Sequence, residues 1–258
     1  MLVRSLAMFL ASALTPLPTA YDATKENTAQ PCRIMRTVFQ QGHCSSCAAF
    51  ASASSLSMRL CLVEREDHIP SPYRLFDCVS RSCNKGASLQ STGSALMRGI
   101  PDIRDSAPLF GVGCEHTTLQ RLLFGYVVWL SGAMKLDLYL FGPTIVTLHD
   151  SQALWYYQDG VYYPRHEAHG TKHFVVLIGW GADPEPHWLI LNSWGPEWGV
   201  GGRAKVALHA FPYHYSWRTR TETVIETAAL FAYLAFLFFA VAACAVFLPD
   251  KDVDMGRV

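Results

Sequence analysis

Two cysteines three positions apart, Cys44 and Cys47, are the residues of this chain whose spacing most directly suggests chemistry. They lie in the stretch QQGHCSSCAAF, and the residues that follow are small and apolar. Such a pair can be one end of a structural disulfide, a redox couple, part of a metal site, or a nucleophile at the start of a helix. The rest of the sequence decides between these four functions.

The cysteine count favours one unpaired thiol. The chain of 258 residues contains eight cysteines, and Cys244 lies in an apolar stretch where we expect an inert small side chain. The other seven are an odd number, so in an oxidising compartment one of them stays unpaired. A spare buried cysteine or an intermolecular bridge would explain the count equally well.

His173 and Asn192 are predicted to lie side by side at one end of a sheet. Two apolar runs flank the turn GADPEP, and an antiparallel hairpin folded about its centre places position 173 opposite position 194. Asn192 is then the diagonal neighbour of His173. A carboxamide can fix the tautomer of an imidazole and leave its other nitrogen free to accept a proton. Ten histidines occur in the chain, however, and most histidines at strand starts are edge groups without a catalytic role.

Cys47 falls in the first turn of a helix predicted over residues 47–63, which are rich in Ala, Ser and Leu and contain no Gly or Pro. The positive end of the helix dipole is expected to lower the pKa of its thiol. The carboxamide of Gln41, with the backbone N–H of Cys47, is a candidate donor pair for the oxyanion of a tetrahedral intermediate. A cysteine, an oriented histidine and such donors form a set that performs acyl transfer.

The elements around these residues predict an α+β fold with two layers or lobes. The first half reads as helical, with one short helix and a turn at CNKG within residues 73–100 and a further helix through TTLQRLLFGYVVWL. The second half reads as strands at TIVTL, GVYY, HFVVLIGW, HWLILN and RAKVAL.

Both ends of the chain carry apolar segments. Residues 1–20 have one arginine before an apolar stretch and end in small residues, which predicts a secretory signal peptide. Residues 227–248 contain no charge and are long enough to cross a bilayer at ~1.5 Å per residue. We therefore expect a lumenal domain over 21–226, a membrane helix that contacts lipid over 227–248, and a cytosolic tail over 249–258.

Three motifs resemble those of the papain family of cysteine proteases, and of its cathepsin B branch most closely. QGHCSSCAAF is similar to Q-G-x-C-G-S-C-W-A-F, and KHFVVLIGWG to N-H-A-V-x-x-x-G-W/Y-G. HWLILNSWGPEWGVGG is similar to Y-W-x-x-x-N-S-W-G-x-x-W-G-x-x-G. The resemblance covers about residues 30–208. It implies a papain-like two-lobed domain, with a helical left lobe and an antiparallel β right lobe, that acts on peptides or proteins without cofactor or metal.

The resemblance also implies the role of each site residue. Cys47 would be the nucleophile, His173 the base and acid, and Asn192 the group that orients the imidazole. Gln41 would donate to the oxyanion, and Trp194 would cover the His–Asn bond and contact substrate. Gly86 would bind the substrate backbone, and Phe174 would form an edge of the S2 pocket.

The family pattern implies three disulfides, Cys44–Cys83, Cys78–Cys114 and Cys32–Cys61, which leave Cys47 free. A bridge between Cys47 and Cys44 is the competing pairing. Departures from the family motifs are Ser45, Ala48, Lys85 and Phe174.

Two further departures concern how the enzyme would act. No adjacent histidine pair or long insertion lies between Cys83 and Cys114, which implies an endopeptidase rather than a dipeptidyl carboxypeptidase. The segment between the predicted signal and Cys32 is short, so we do not expect an ordinary inhibitory propeptide.

Three functions follow, and the sequence favours the first. It is a membrane-anchored thiol endopeptidase of the secretory pathway, in an endosomal, lysosomal or vacuolar membrane or at the cell surface, with a bell-shaped pH dependence. The second is a catalytically impaired, protease-like binding module. The third is a thiol-disulfide oxidoreductase using Cys44 and Cys47, which leaves NSWGPEWG without a purpose. Equal numbers of basic and acidic residues, 21 each, provide no field for nucleic acid.

Overall fold

Five α-helices and eight β-strands make up the part of the chain that the computed structural model describes. These residues are 16–25, 32–80, 82–117, 126–149, 151–165, 172–211 and 213–217, with positions 228 and 235. All but the last two belong to one unit, Pro16–Glu222.

The helices are α1 (Cys47–Arg59), α2 (Pro72–Asp77), α3 (Leu89–Met97), α4 (Ser131–Phe141) and α5 (Ser151–Trp155). The strands are β1 (Tyr21–Asp22), β2 (Tyr126–Leu130), β3 (Thr144–Leu148), β4 (Val161–Tyr162), β5 (His173–Gly181), β6 (His187–Leu191), β7 (Arg203–Ala207) and β8 (Tyr213–Trp217). The sheet order is β2-β8-β3-β5-β6-β7-β4, and β1 pairs with β5. The α+β prediction is confirmed, but the sheet is mixed because β4 pairs parallel with β7.

Helix α1 lies at the centre of the first hydrophobic core. Every residue from Ala48 to Arg59 is buried, which explains why the helix is built from small side chains rather than from one apolar stripe. Its buried hydroxyls have partners inside the domain: Ser55 donates to the carbonyl oxygen of Pro143 at 2.8 Å, and Ser52 lies 3.2 Å from Thr92 Oγ1. The helix therefore packs closely against its neighbours without leaving these polar groups unsatisfied.

Strand β5 is buried on both faces, because it lies between two cores. Val176 and Ile178 pack in the core around α1, whereas Val175, Leu177 and Trp180 pack in a second core with α4. This is why its sequence reads as a continuous apolar run rather than as an alternating pattern.

The hairpin of β5 and β6 has the predicted register at the end that matters for the site. Val176 pairs with Leu191, and continuing this register places position 194 opposite His173, as the turn centre predicts. A bulge just after Leu177 shifts the pairing by one residue nearer the turn.

Gly179 allows the N-terminal strand to join the sheet. Asp22 of β1 pairs with Gly179 of β5, and a Cβ at this glycine would lie 2.1 Å from the carbonyl oxygen of Tyr21. No side chain fits there, so any larger residue would displace β1.

Other helix and strand predictions have mixed outcomes. Each of the five predicted strand segments contains a strand, and these strands are β3 to β7. The short helix predicted within residues 73–100 is in fact two helices, α2 and α3. The helix predicted through TTLQRLLFGYVVWL is wrong where the structure describes it, because 126–130 form β2 and pair antiparallel with β8. The helix begins only at Ser131.

The terminal predictions fall mostly outside the described residues. The predicted membrane segment 227–248 and most of the predicted signal peptide stay predictions. Leu17, within that predicted signal, packs on the second core, and the carbonyl oxygen of Pro18 accepts a hydrogen bond from Trp180 Nε1 at 3.0 Å. Among the residues that the structure describes, no helix is long and apolar enough to cross a membrane.

The end of α1 is held by a buried cluster of polar groups. Arg59 is fully buried and donates to Asp137 Oδ2 at 2.9 Å and to the carbonyl oxygens of Pro143 and Gly142 at 2.9 and 3.1 Å. Asp137 Oδ2 also accepts a hydrogen bond from Ser216 Oγ at 2.6 Å. The cluster thus connects α1 with α4, β8 and the segment that leads into β3.

We predict that Arg59→Met destabilises the domain by roughly 3–5 kcal/mol, because it removes the guanidinium that neutralises the buried carboxylate of Asp137 and leaves His214 Nε2, at 3.1 Å, as its remaining ion-pair partner among the described residues. Urea unfolding followed by tryptophan fluorescence measures this. Arg104→Met is the matched control: Arg104 pairs with Asp102 at 2.8 Å, but its side chain is 60% exposed. The control should leave the midpoint almost unchanged, and equal losses in the two variants would contradict the prediction.

Candidate functional site

The three predicted disulfides are present, Cys32–Cys61, Cys44–Cys83 and Cys78–Cys114. Cys47 is the free cysteine of the described residues. The prediction from the family pattern is confirmed. Because Cys44 is bridged to Cys83, neither the competing bridge to Cys47 nor a Cys44–Cys47 redox couple forms.

Cys47 opens α1 and is only partly exposed. Its sulfur accepts hydrogen bonds from the backbone N–H groups of Phe174, Ala48 and Cys47 itself, which lower its pKa, but burial outweighs them and raises the pKa of the thiol above 9.0. The helix start thus acts in the expected direction, but the expectation of a lowered pKa is wrong for the thiol considered alone, because burial is the larger effect. The bond from Phe174 places the sulfur against the start of β5, at the backbone of the residue that follows His173.

His173 and Asn192 make the predicted hydrogen bond. His173 Nε2 lies 2.8 Å from Asn192 Oδ1, and both residues are buried. The same Oδ1 accepts the backbone N–H of Ser193 at 2.8 Å, which identifies it as the oxygen of the carboxamide. The imidazole must then donate through Nε2, so its Nδ1 is the basic nitrogen.

Burial determines the basicity of this imidazole. Loss of solvation lowers the pKa of His173 to about 4, and the hydrogen bond to Asn192 acts in the opposite direction by favouring the charged ring. An isolated His173 is therefore neutral in mildly acidic solution, and it gains a proton only when a nearby negative charge compensates for the missing solvent.

Trp194 covers the His–Asn pair. Its ring stacks on that of His173, with 4.5 Å between the centroids and 22° between the planes. Trp198 meets Trp194 edge-on at 5.3 Å, and Trp155 lies 4.8 Å from it on the solvent side, 54% exposed. The hydrogen bond is thus shielded from water by an aromatic cluster, as the resemblance implied for Trp194.

Gln41 is fixed beside the same group of residues. Its backbone N–H donates to the carbonyl oxygen of Ser193 at 2.8 Å, and its Oε1 accepts from Ser193 Oγ at 2.6 Å. Its Nε2 donates one hydrogen to the carbonyl oxygen of Cys44 at 2.7 Å. A primary amide carries two N–H hydrogens, so the second is available for a ligand.

Gly86 lies against the loop that precedes α1. Its φ of +67° favours glycine, and a Cβ there would lie 3.2 Å from the carbonyl oxygen of Ser45. The backbone N–H of Ser45 donates to the carbonyl oxygen of Cys83 at 2.9 Å, next to the Cys44–Cys83 bridge. The segment implied to bind substrate backbone is therefore fastened beside the thiol.

Two of the departures from the family motifs, Ala48 and Phe174, differ in how far they are buried. Ala48 is completely buried, and Phe174 is half-buried and packs against the core around α1. Its place at the edge of an S2 pocket stays a prediction.

Two residues of the site were missed by sequence reasoning. Ser193 orients Gln41 and polarises the oxygen of Asn192, and its position directly after Asn192 was a signal that could have found it. Trp155 joins the aromatic cluster from another segment of the chain, and no sequence pattern linked it to Trp194.

One group of side chains has the spacing of metal ligands within the described residues: Cys78, Cys114 and His116. Because the two cysteines form a disulfide, they cannot act as thiolate ligands.

The assembled groups can perform acyl transfer. A partly exposed free thiol contacts the start of the strand that carries an oriented imidazole, and the amide of Gln41 is bonded to the loop that precedes the thiol. The two strand ends and the helix start bring together residues that are far apart in sequence.

Comparison with known proteins gives the same picture. Residues 17–213 match the family described as papain family cysteine protease. Mouse cathepsin K is 30% identical over 203 residues, which cover 74% of this chain and 60% of the relative. Cathepsin C of Schistosoma mansoni is 29% identical over 220 residues, which cover 74% of this chain and 48% of the relative. The chain thus spans about half to three-fifths of the length of these two relatives.

Solved structures share the fold. A procathepsin B S9 from Trypanosoma congolense has a TM-score of 0.68 and 21% identity, covering 80% of this chain and 79% of its own. Bromelain from Ananas comosus, in complex with the E64 inhibitor, has a TM-score of 0.66 and 18% identity, covering 79% of this chain and 100% of its own.

We predict that Asn192→Ala lowers the pKa of His173 further below about 4, because it removes the bond that favours the charged ring. NMR titration of the imidazole in a Cys47→Ala background measures this without the coupled thiol. Thr147→Ala, a nearby buried substitution, is the control. An unchanged or raised pKa in Asn192→Ala would contradict the assigned geometry.

Proposed function

Because the chain belongs to the papain family of cysteine proteases, we propose that it is an endopeptidase that hydrolyses peptide bonds through Cys47 and His173. The observation that carries this proposal is the single unpaired thiol of the described cysteines, which lies at the start of α1 and accepts the backbone N–H of Phe174.

The reaction uses the two groups as a pair that shares one proton. Transfer of the thiol proton to His173 Nδ1 gives a thiolate and an imidazolium, and each charge compensates for the solvent that the other lacks. The thiolate attacks the peptide carbonyl carbon, and Gln41 Nε2 and the Cys47 backbone N–H stabilise the oxyanion. The imidazolium then protonates the leaving amine as the C–N bond breaks, which leaves a thioester.

Water completes the cycle. His173 removes a proton from a water molecule, the resulting hydroxide attacks the thioester carbonyl, and the carboxylic acid leaves as the Cys47 thiolate is restored. Asn192 keeps Nδ1 turned towards sulfur throughout, and Trp194 keeps water away from the Nε2 bond.

Burial of both groups widens the pH range in which the pair holds a single proton. Below about pH 4 His173 is protonated while Cys47 is also protonated, so no thiolate exists. Above the raised pKa of Cys47 the pair loses its last proton, so no acid remains for the leaving amine. Activity then follows a bell with a wide top, which includes the mildly acidic pH of endosomes and lysosomes.

A cathepsin B-like character is the finer part of this proposal. The Cys32–Cys61 bridge and the sequence around Cys47 support it, and the absence of an adjacent histidine pair between Cys83 and Cys114 supports endopeptidase action. The uncharged segment 227–248 supports anchoring in a membrane of the secretory pathway, with peptide or protein substrates on the lumenal side.

A catalytically impaired binding module is the second candidate. The raised pKa of Cys47 and the lowered pKa of His173 favour it, because both oppose charge separation within the pair. Ala48, in place of the tryptophan of the family motif, adds to this.

An epoxysuccinyl thiol probe separates the two candidates. We predict that it labels one site, Cys47, and that Cys47→Ala abolishes both labelling and peptide hydrolysis. Gln41→Ala should keep the labelled site but reduce kcat by about 10²-fold, as expected for loss of an oxyanion donor. Mass spectrometry locates the label, and folded protein that remains unlabelled would support the binding module instead.

Trp155 is positioned to contact the departing half of the substrate. The leaving amine takes its proton from His173, so this half of the peptide lies over the ring of Trp194 and reaches the exposed ring of Trp155. Aromatic contacts of this kind contribute ~1 kcal/mol.

We therefore predict that Trp155→Ala raises KM about fivefold for peptides with a large apolar residue directly after the scissile bond. Peptides with glycine there should be unaffected. Tyr156→Ala is the control, since Tyr156 is adjacent and 82% exposed. Steady-state kinetics on matched fluorogenic peptides measures both, and an equal change for the two peptides in Trp155→Ala would contradict this placement.

A further inference from the structure

A cavity of about 560 Å³ lies away from the candidate catalytic group. It is bordered by the N-terminal segment, the turn Arg33–Arg36 and strands β6 and β7, and none of Cys47, His173, Asn192 and Gln41 lines it. Its volume is within the range of cavities that bind small molecules, roughly 300–1,000 Å³.

The charges that line this cavity are strongly biased to one sign. Four cationic side chains line it, Lys25, Arg36, Arg203 and Lys205, against the single carboxylate of Asp22. Asp22 already has partners, since Lys25 Nζ lies 3.5 Å from Oδ2 and Thr24 Oγ1 donates to Oδ1 at 2.7 Å. The chain as a whole has no net charge, so this concentration of positive charge is local.

Two of these cations, Arg36 and Arg203, are not neutralised by any carboxylate of the described residues. Neither Arg36 nor Arg203 forms an ion pair or a side-chain hydrogen bond within the described part of the chain, and Arg203 Nε is buried without a partner. Among the described residues, the one acceptor for Lys205 Nζ is the carbonyl oxygen of Asp183, at 3.1 Å. Arg203 is half-buried, so its guanidinium loses solvation and gains nothing in return unless a ligand supplies the acceptor, whereas Arg36 is exposed and adds its charge from the solvent side.

Apart from Thr24, the rest of the lining is apolar or aromatic. Met35, Leu189, Val200, Ala204 and Tyr157 form it. Tyr157 is buried and held in place, because its hydroxyl donates to the carbonyl oxygen of Gly160 at 2.8 Å and accepts the backbone N–H of Lys205 at 3.3 Å. The cavity therefore combines apolar and aromatic side chains with four cationic side chains.

We propose that this cavity binds a small organic anion that carries two or more phosphate or sulfate ester groups. The planar guanidinium groups of Arg36 and Arg203 match tetrahedral oxyanions through paired N–H donors, and Lys25 and Lys205 add charge at the rim. The apolar wall accepts the carbon skeleton of the ligand. Phosphate and sulfate esters share this chemistry.

Isothermal titration of the full chain tests the proposal with two probes, inositol 1,4,5-trisphosphate and a doubly sulfated disaccharide. At least one should bind the unaltered protein, and Arg36→Gln combined with Arg203→Gln should weaken that binding tenfold or more. Lys172→Gln, which removes an exposed cation outside the cavity, should leave the affinity unchanged. The probe that binds more tightly identifies the ester.

A second double variant, Arg36→Lys with Arg203→Lys, keeps the positive charges but removes the paired N–H donors of the guanidinium groups. It should therefore bind less tightly than the unaltered protein and more tightly than the glutamine variant. Thermal melts and alkylation of Cys47 establish that each variant is folded, and neither readout requires peptidase activity. The proposal is overturned if neither probe binds at about 1 mM in about 50 mM salt, or if the glutamine variant binds as tightly as the original chain.

Discussion

The first turn of α1 has to pack against the first residues of β5, because α1 carries the thiol of Cys47 and β5 carries the imidazole of His173. The hydrogen bond from the Phe174 backbone to the Cys47 sulfur joins the two elements at this point. At the opposite end of the helix, the buried Arg59 binds Asp137 and fixes α1 lengthwise. The small side chains between these ends let the helix approach the sheet closely. Packing of this one helix thus determines where the thiol lies relative to the strand that carries the imidazole.

The same packing removes water from the site. The loss of water opposes ionisation of the thiol or the imidazole alone, but it strengthens the attraction between the two charges once both are present. A buried thiol resists ionisation and a buried imidazole resists protonation. Placed together they compensate for each other, because an ion pair in a poorly solvated site is held by a stronger Coulomb attraction than in water. Asn192 and Trp194 make this possible by fixing the ring and by keeping solvent away from its far nitrogen.

The position of the turn was enough to predict that His173 and Asn192 are neighbours, because the register of a hairpin depends mainly on its turn. The bulge after Leu177 was not visible in the sequence, yet it lies between the turn and the site and does not move the catalytic end. The helix predicted through 117–130 was wrong at its described end, 126–130, because β2 is stabilised there by β8, far away in the chain. The pKa of Cys47 was misjudged for a similar reason: the helix start is local and visible, whereas burial comes from the tertiary fold. The disulfides were implied by the resemblance alone.

The rate at which iodoacetamide alkylates Cys47, measured against pH, tests the thiol–imidazole pair most directly, since only thiolate reacts. If the two groups share one proton, Cys47 is alkylated appreciably in mildly acidic solution, where His173 holds the proton, and this phase is lost in His173→Gln. A single rise above the ordinary thiol pKa of 9.0, the same with and without His173, would show that the sulfur and the ring do not act together.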